Sequence, residues 1–309
     1  GCRPALYDLG LWMFGPALLK FGTEAQKQEH ITKIVRGDIR WAQGYSEPGA
    51  GSDLASLKTR AEDKGDHFLV NGSKIWTTNA DKSDWIFCLV RTDPDAQKQQ
   101  GISFLMIDMA TAGVSTTPIP LISGKSDFCQ TFFDDVKVPK ENLVGELHAG
   151  WTVAKEVLKH ERKLMSMLGS MAEKEEESLQ ELAIRCLGKS DDGKLRDSSM
   201  RGRITSHLMN SHADGLSGLR MYQQGKAGVM DPNLGLTMKY TNTSELQIKD
   251  ELMLAILGNR GLSWHDSEFD VTEQRIAQNW AYNKSHTIAG GTSEIQLNII
   301  AKRALGLPA

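Results

Sequence analysis

Three short segments of this 309-residue chain combine residue types that could bind a polar ligand. Residues 45–53 (YSEPGAGSD) put two hydroxyl side chains next to small residues, whose bare backbone amides can approach a ligand closely. Residues 74–79 (KIWTTN) surround a tryptophan with hydrogen-bonding groups. Residues 290–296 (GGTSEIQ) place two glycines before an apolar-periodic run, where the free amides of a helix start could face a ligand. Each segment also has a purely structural interpretation: a surface turn, a core tryptophan, and a glycine break with a helix cap.

A single carboxylate lies within an apolar helical stripe near the middle of the chain. Glu161 occupies the middle turn of this stripe, which is formed by Ala154, Val157, Leu158, Leu164, Met165 and Leu168. Burial disfavours a charged carboxylate, so we expect a raised proton affinity that suits a general base near neutral pH. Alternatively, Glu161 pairs with Arg162 or Lys163, or reaches solvent at the edge of the stripe.

The elements that position these residues change type twice along the chain. Apolar residues recur at helical spacing in the first forty residues, and a second amphipathic stretch begins at Thr23. Asn71-Gly72 is the usual signature of a tight hairpin turn. Further strands are expected at residues 85–90, 102–107 and 128–138. Long helices follow Gly150, so the predicted order is helices, an antiparallel β region, and helices.

Composition excludes several classes of function. The chain is 40% hydrophobic and 24% charged, with a net charge of -3, so nothing indicates a nucleic-acid partner. Cys2, Cys88, Cys129 and Cys186 are far apart, which predicts neither a metal site nor a disulfide framework and favours a reducing, intracellular compartment. No apolar run reaches membrane-spanning length, so no membrane insertion is expected. We expect a cytoplasmic location, or the mitochondrial matrix in a eukaryote; because the chain starts at Gly1, a targeting signal cannot be read.

The three segments, in this order and at these spacings, resemble the acyl-CoA dehydrogenase family over nearly the whole chain. The resemblance implies an α+β fold with an N-terminal helical domain, truncated here, at residues 1–40. A middle antiparallel β domain at residues 41–148 and a C-terminal four-helix bundle at residues 149–309 would follow. It also implies FAD, bound between the middle domain and the bundle.

The resemblance assigns roles to individual residues. Tyr45 and Ser46 would offer backbone and hydroxyl contacts to the flavin ring, Ser52 would approach the flavin phosphates or the CoA arm, and Gly51 would contact the cofactor. Trp76 would pack on the isoalloxazine, and Thr78 would hydrogen-bond near its reactive nitrogen. At the C-terminus, Thr292 and Glu294 would contact FAD. Arg162 would join Ser52 in binding the substrate.

The position of the catalytic base separates this chain from many members of the family. Many carry the base just before the Gly-Thr of the C-terminal motif, where this sequence has Gly290. A subgroup that includes enzymes similar to isovaleryl-CoA and long-chain dehydrogenases carries it on the mid-chain helix, eleven residues after the glycine that is Gly150 here. Glu161 meets that spacing and is predicted to be the base. The loops at residues 188–193 and 257–262 depart from the family pattern, which puts their contacts with FAD in doubt.

The leading hypothesis is therefore an oxidoreductase of fatty acid metabolism and β-oxidation that converts an acyl-CoA to its trans-2-enoyl-CoA. An electron-transferring flavoprotein would accept the electrons, and the protein would form a homodimer, a homotetramer or a mixed oligomer. Two alternatives stay open: a flavin-dependent monooxygenase or oxidase of the same fold, and a catalytically degenerate partner subunit. The acyl group could be straight, branched, aromatic or steroid-like.

Overall fold

The computed structural model describes residues 8–124, 126–170, 177–229, 231–265 and 268–308, with the backbone alone at residues 162–170 and 232. The chain divides into two compact units. The first comprises Gly1–Pro120 and Lys125–Ala172, and the second comprises Leu121–Gly124 and Glu173–Ala309. The domain boundaries expected after residues 40 and 148 remain a prediction.

Helices open the first unit, as predicted. A π-helical turn at Gly10–Phe14 leads into α1 (Gly15–Phe21), and α2 (Glu24–Arg36) follows. Thr23 begins α2 with a capping box: its hydroxyl accepts a hydrogen bond from the Gln26 amide, and the Gln26 side chain accepts one from the Thr23 amide. This reciprocal pair satisfies two amides that the helix itself cannot. Tyr7, the first residue of the predicted helical spacing, lies outside the described residues.

Seven strands in the described part of the first unit form one sheet. They are β1 (Trp41–Gly44), β2 (Arg60–Asp63), β3 (His67–Thr78), β4 (Trp85–Arg91), β5 (Ile102–Asp108), β6 (Val114–Ile119) and β7 (Phe128–Pro139). The strand order is β1-β4-β2-β3-β7-β6, and β5 also pairs with β4. The antiparallel domain and the three further strands predicted from the sequence are confirmed, while β1 pairs with β4 in parallel. Strands β1, β2 and β6 were not predicted from the sequence, and β1 begins a segment rich in glycine.

The two faces of β4 and β5 are buried in different apolar clusters. Phe87 and Phe104 belong to the cluster that includes residues of α1, α2 and the first turns of α3 (Gly150–Ser170). Cys88 and Leu105 belong to the cluster on the other face, with residues of β3 and β7. Because both faces are covered, the sequences of β4 and β5 are nearly continuous apolar runs. Helix α3 packs directly on these two strands, which fixes the helix that carries Glu161.

The hairpin turn predicted at Asn71-Gly72 is wrong. Strand β3 runs straight through this pair, and the turn between β2 and β3 lies at residues 64–66. Gly72 instead lies at a shift in register between β3 and β7, where it adopts a φ of +144°. A Cβ atom at this position would lie 2.7 Å from the Cα of Thr59. The glycine is required by a neighbouring segment, which the local sequence pattern does not reveal.

Replacing Gly72 by alanine is therefore expected to destabilise the first unit. A positive φ and a backbone contact closer than van der Waals distance should together cost about 2–4 kcal/mol in the free energy of unfolding. Gly65→Ala is the matched control, because Gly65 also has a positive φ (+95°) but has no atom within 4 Å of an added Cβ. Urea unfolding of both variants measures the difference. Equal losses of stability would show that the close approach to Thr59 is not limiting.

The second unit is helical. Its helices in the described residues are α4 (Leu179–Leu187), α5 (Ser198–Ala227), α6 (Pro232–Leu257), α7 (Val271–Asn283) and α8 (Ser293–Ile299). Helix α6 packs against α4, α5, α7 and α8. His207 of α5 joins α6 through a 2.8 Å contact between its Nδ1 and Glu245 Oε2. The helical C-terminal region predicted from the sequence is confirmed.

The buried carboxylate of Glu273 binds one of the two loops that depart from the family pattern, the one at residues 257–262. Glu273 of α7 is 1% exposed and pairs with Arg185 at 3.0 Å and with Arg260 at 2.8 Å. Arg260 lies in the altered segment at residues 257–262, so this loop has a defined structural partner within the second unit. No described helix is both long enough and apolar enough to cross a membrane.

Candidate active site

The loop that follows β1 is tied to β3 immediately before Trp76. The Lys74 ammonium donates to the backbone carbonyl of Tyr45 at 3.2 Å and to Glu47 Oε1 at 2.8 Å. One residue later, the Ile75 amide donates to the Ser46 carbonyl at 2.9 Å. The segment that carries Tyr45 and Ser46 therefore has a fixed position relative to the strand that carries Trp76.

The ion pair between Lys74 and Glu47 is buried. The Lys74 side chain is 0% exposed and that of Glu47 is 8% exposed. Glu47 also accepts hydrogen bonds from the amides of Lys58 (2.6 Å) and Thr59 (2.8 Å). Burial acts to raise the pKa of Glu47, but the charge and hydrogen bonds of its partners outweigh burial and lower it. The carboxylate stays ionised and holds together three segments that are distant in sequence.

Trp76 occupies an exceptional backbone conformation. Its φ is +61°, in the left-handed region that a bulky residue rarely adopts, and it lies where the register between β3 and β7 shifts. The next residue, Thr77, is buried and bonds the Cys129 carbonyl and the Thr131 hydroxyl, each at 2.8 Å. The indole is 52% exposed and meets Phe128 edge-on. Trp76 is therefore not a core residue, and its strained backbone leaves a large aromatic surface exposed to solvent.

The remaining predicted residues of the first unit differ in exposure. Thr78 ends β3 and is half-buried, as is Ser46. Gly51 and Ser52 are exposed, and a Cβ atom at Gly51 would have open space around it. Hydroxyls and bare backbone thus remain available to a ligand along the loop.

Glu161 lies on α3, whose preceding turns face the sheet. Ala154 and Val157 of this helix are buried in the same cluster as Tyr45. Glu161 itself is half-buried, and its Oε2 atom is shielded from solvent. The predicted stripe is thus confirmed up to Leu158. The side chains from Arg162 to Leu168, including the substrate residue Arg162, lie outside the described residues.

Thr292 and Glu294 belong to the second unit. Thr292 caps α8, and its hydroxyl accepts a hydrogen bond from the Ile295 amide at 3.3 Å. Glu294 is exposed, and hydrogen bonds to the backbone and to Thr292 lower its pKa. Gly290 and Gly291, with φ values of +65° and +98°, form the break before this helix. The helix-cap interpretation is confirmed, and contact with FAD at this corner remains a prediction.

Two family models match the chain. "Acyl-CoA dehydrogenase, middle domain" covers residues 42–136, and "Acyl-CoA dehydrogenase, C-terminal domain" covers residues 148–305. Acyl-CoA dehydrogenase IpdE1 of Mycobacterium tuberculosis is 37% identical over 298 residues, which are 96% of this chain and 74% of IpdE1. The chain belongs to the acyl-CoA dehydrogenase family.

Solved structures agree with this assignment. The Tcur3481-Tcur3483 steroid ACAD superposes with a TM-score of 0.84 at 31% identity, over 97% of this chain and 76% of that chain. The ChsE4-ChsE5 complex of Mycobacterium tuberculosis gives a TM-score of 0.81 at 29% identity, over 97% and 77% of the two chains. Members of the acyl-CoA dehydrogenase family are FAD-dependent oxidoreductases.

The residues of the first unit fit a flavin. An exposed indole offers the flat apolar surface that a ring system needs, and the neighbouring Thr78 and Ser46 supply hydroxyl and backbone groups. These residues were predicted from the sequence motifs, whereas the Lys74–Glu47 pair that fixes the loop was not. The signal was present, since a lysine and a glutamate lie inside the two motifs, but their contact joins residues 27 positions apart.

Proposed function

We propose that this acyl-CoA dehydrogenase converts an acyl-CoA thioester to the trans-2-enoyl-CoA, with Glu161 as the base. The observation that carries the proposal is a half-buried carboxylate with a solvent-shielded oxygen on α3, in a chain that has Gly290 where many relatives have the base. Bound FAD supplies the acceptor for the hydride that leaves the β-carbon.

The role of Glu161 follows from where its carboxylate lies. The carboxylate accepts the proton from the carbon alpha to the thioester carbonyl, while the electron pair of that C–H bond forms the new double bond. A shielded position keeps water from competing for the carboxylate and strengthens its interaction with the substrate. Ser52 and Arg162 are proposed to bind the CoA thioester.

The flavin contacts are proposed residue by residue. Trp76 covers one side of the ring system, and Thr78 hydrogen-bonds near its reactive nitrogen. Tyr45 lines the ring through its backbone, and Ser46 does so through its backbone and hydroxyl. Gly51 contacts the cofactor, and Ser52 lies at the flavin phosphates or the CoA arm. Thr292 and Glu294 of the C-terminal motif are also proposed to contact FAD. The exposed, strained Trp76 supports this assignment most directly.

The substrate class, the electron acceptor and the oligomeric state are further parts of the proposal. Similarity to a steroid ACAD makes a polycyclic acyl-CoA the first substrate to test, beside straight and branched ones. An electron-transferring flavoprotein is the proposed electron acceptor, and β-oxidation is the proposed pathway. Similarity to the ChsE4-ChsE5 complex adds a mixed oligomer to the homodimer and homotetramer.

The test is an anaerobic titration of the purified, FAD-loaded protein with a panel of acyl-CoAs, followed by flavin absorbance and by light scattering for the oligomer mass. Bleaching of the flavin with formation of the enoyl-CoA is the expected result. Bound FAD without bleaching by any thioester would contradict dehydrogenation and favour an oxygen-dependent reaction.

A degenerate partner subunit is the second candidate function. Gly290 and the altered loops at residues 188–193 and 257–262 motivate it, together with the similarity to a complex of two named chains. Failure to retain FAD when the protein is purified alone, with recovery on co-purification with a second subunit, would favour this function.

A further inference from the structure

The phenol of Tyr45 is a buried polar group that no described contact explains. The residue is 5% exposed, and its ring meets Phe87 and Phe104 edge-on at centroid distances of 6.0 and 6.3 Å. Its hydroxyl is shielded from solvent and has no hydrogen-bond partner among the residues that the structure describes. A buried hydroxyl without a partner destabilises a fold by about 1–3 kcal/mol relative to a satisfied one. Phenylalanine would fill the same space without this cost, so the hydroxyl calls for a functional explanation.

The place of this hydroxyl in the fold points to Glu161. The Tyr45 ring stands on Phe87 of β4 and Phe104 of β5, which are the strands that α3 covers. Val157, one helical turn before Glu161 and on the same face, shares the apolar cluster with Tyr45. The Tyr45 phenol and the helix that carries Glu161 therefore lie on the same face of the sheet.

The electrostatics agree with this placement. Burial raises the pKa of Tyr45 well above its ordinary value of 10.0, and the negative charge of Glu161 is the next largest cause. The phenol is thus a permanent proton donor at neutral pH, and the carboxylate is close enough to act on it. Ring packing holds the phenol in place, whereas a glutamate can change its rotamer.

We propose that Tyr45 is a positioning residue for the catalytic base. When an acyl-CoA is bound, the Tyr45 hydroxyl donates a hydrogen bond to the Glu161 carboxylate and holds it toward the alpha carbon. This inference rests on the proposed dehydrogenation and adds a side-chain role to a residue whose flavin contacts use its backbone.

The test is Tyr45→Phe in the full, FAD-loaded protein. A hydrogen bond to a charged group predicts a fall in the rate of flavin reduction at saturating acyl-CoA of about 10- to 100-fold, with little change in the Kd for acyl-CoA. The primary isotope effect with alpha-deuterated acyl-CoA should rise, because proton abstraction becomes slower. The thermal unfolding midpoint should stay the same or increase. Incorporation of 3-fluorotyrosine at position 45, which keeps the donor, should retain the rate.

Each other result overturns the inference in a distinguishable way. Titrations of wild type and Glu161→Gln first establish whether the protein is a dehydrogenase. If it is, a Tyr45→Phe rate within twofold of wild type rejects the role of Tyr45 and leaves the proposed function intact. A weaker Kd for acyl-CoA with an unchanged saturated rate would make the phenol a substrate contact instead. A lower unfolding midpoint with loss of FAD would make it a purely structural residue. Absence of bleaching in wild type would reject the proposed function itself.

Discussion

Glu161→Gln is expected to abolish the reduction of bound FAD by acyl-CoA while FAD stays bound. Glutamine keeps the size and half-buried position of the side chain but cannot accept a proton from carbon. Loss of a general base of this kind lowers the rate by about 10³-fold or more. Stopped-flow absorbance of the flavin under anaerobic conditions measures the effect directly.

Glu156→Gln provides the matched control for that variant. Glu156 lies five residues earlier on α3, and its carboxylate pairs with Lys20 at 2.6 Å and with Lys159 at 3.4 Å. Both lysine side chains are more than half exposed, so loss of these pairs should cost stability little and leave the rate within about twofold. If Glu161→Gln reduced flavin as fast as Glu156→Gln, the base would have to be sought elsewhere in the chain.

Lys74→Met is expected to lower the free energy of unfolding and to weaken FAD binding. Removing the ammonium leaves the Glu47 carboxylate buried beside an apolar side chain, which destabilises a fold by about 3–5 kcal/mol. The Tyr45 carbonyl also loses its donor, so the loop that carries Ser46 keeps only the hydrogen bond from the Ile75 amide to the Ser46 carbonyl as its tie to β3. Urea unfolding and the Kd for FAD, measured by fluorescence on the apoprotein, report the two effects.

The double variant Lys74→Met/Glu47→Gln separates charge burial from loop positioning. Neutralising both members removes the unpaired charge, so the double variant should regain part of the stability that Lys74→Met loses. Affinity for FAD should remain weak in both variants, because both lack the Lys74 hydrogen bond to the Tyr45 carbonyl. A double variant no more stable than Lys74→Met would contradict the account of a buried charge.

The same pair predicts how stability depends on pH. The pKa of Glu47 in the folded protein lies below its ordinary value of 4.5. A depressed carboxyl pKa stabilises the folded state above the ordinary value, and this contribution is lost as pH falls toward the lowered one. Wild type should therefore lose stability more steeply below about pH 4.5 than the double variant, which has no carboxyl at position 47.

Much of the architecture was predictable from local patterns. The helical period places Glu161 on a mid-chain helix, and Thr23 with Gln26 marks the start of α2, because both signals lie within one or two turns of chain. The strands at residues 85–91 and 102–108 read as apolar runs for the same reason. The family assignment also came from short motifs in a fixed order.

Other features depended on residues that the sequence separates. Asn71-Gly72 has the composition of a turn, yet β3 continues through it because Gly72 faces Thr59 across the β2–β3 pairing. Trp76 has the composition of a core strand residue, yet pairing with β7 places it at a register shift with its indole exposed.

The sequence by itself therefore determined the family, the order of elements and the helix that carries the predicted base. Tertiary structure alone decided that Lys74 reaches Glu47, that Trp76 is exposed, and that the Tyr45 phenol is buried beneath the helix of Glu161. Periodicity and capping report contacts within a few residues along the chain. Burial, ion pairing and register are set by partners tens of residues away, whose positions exist only once the sheet and the helix have packed.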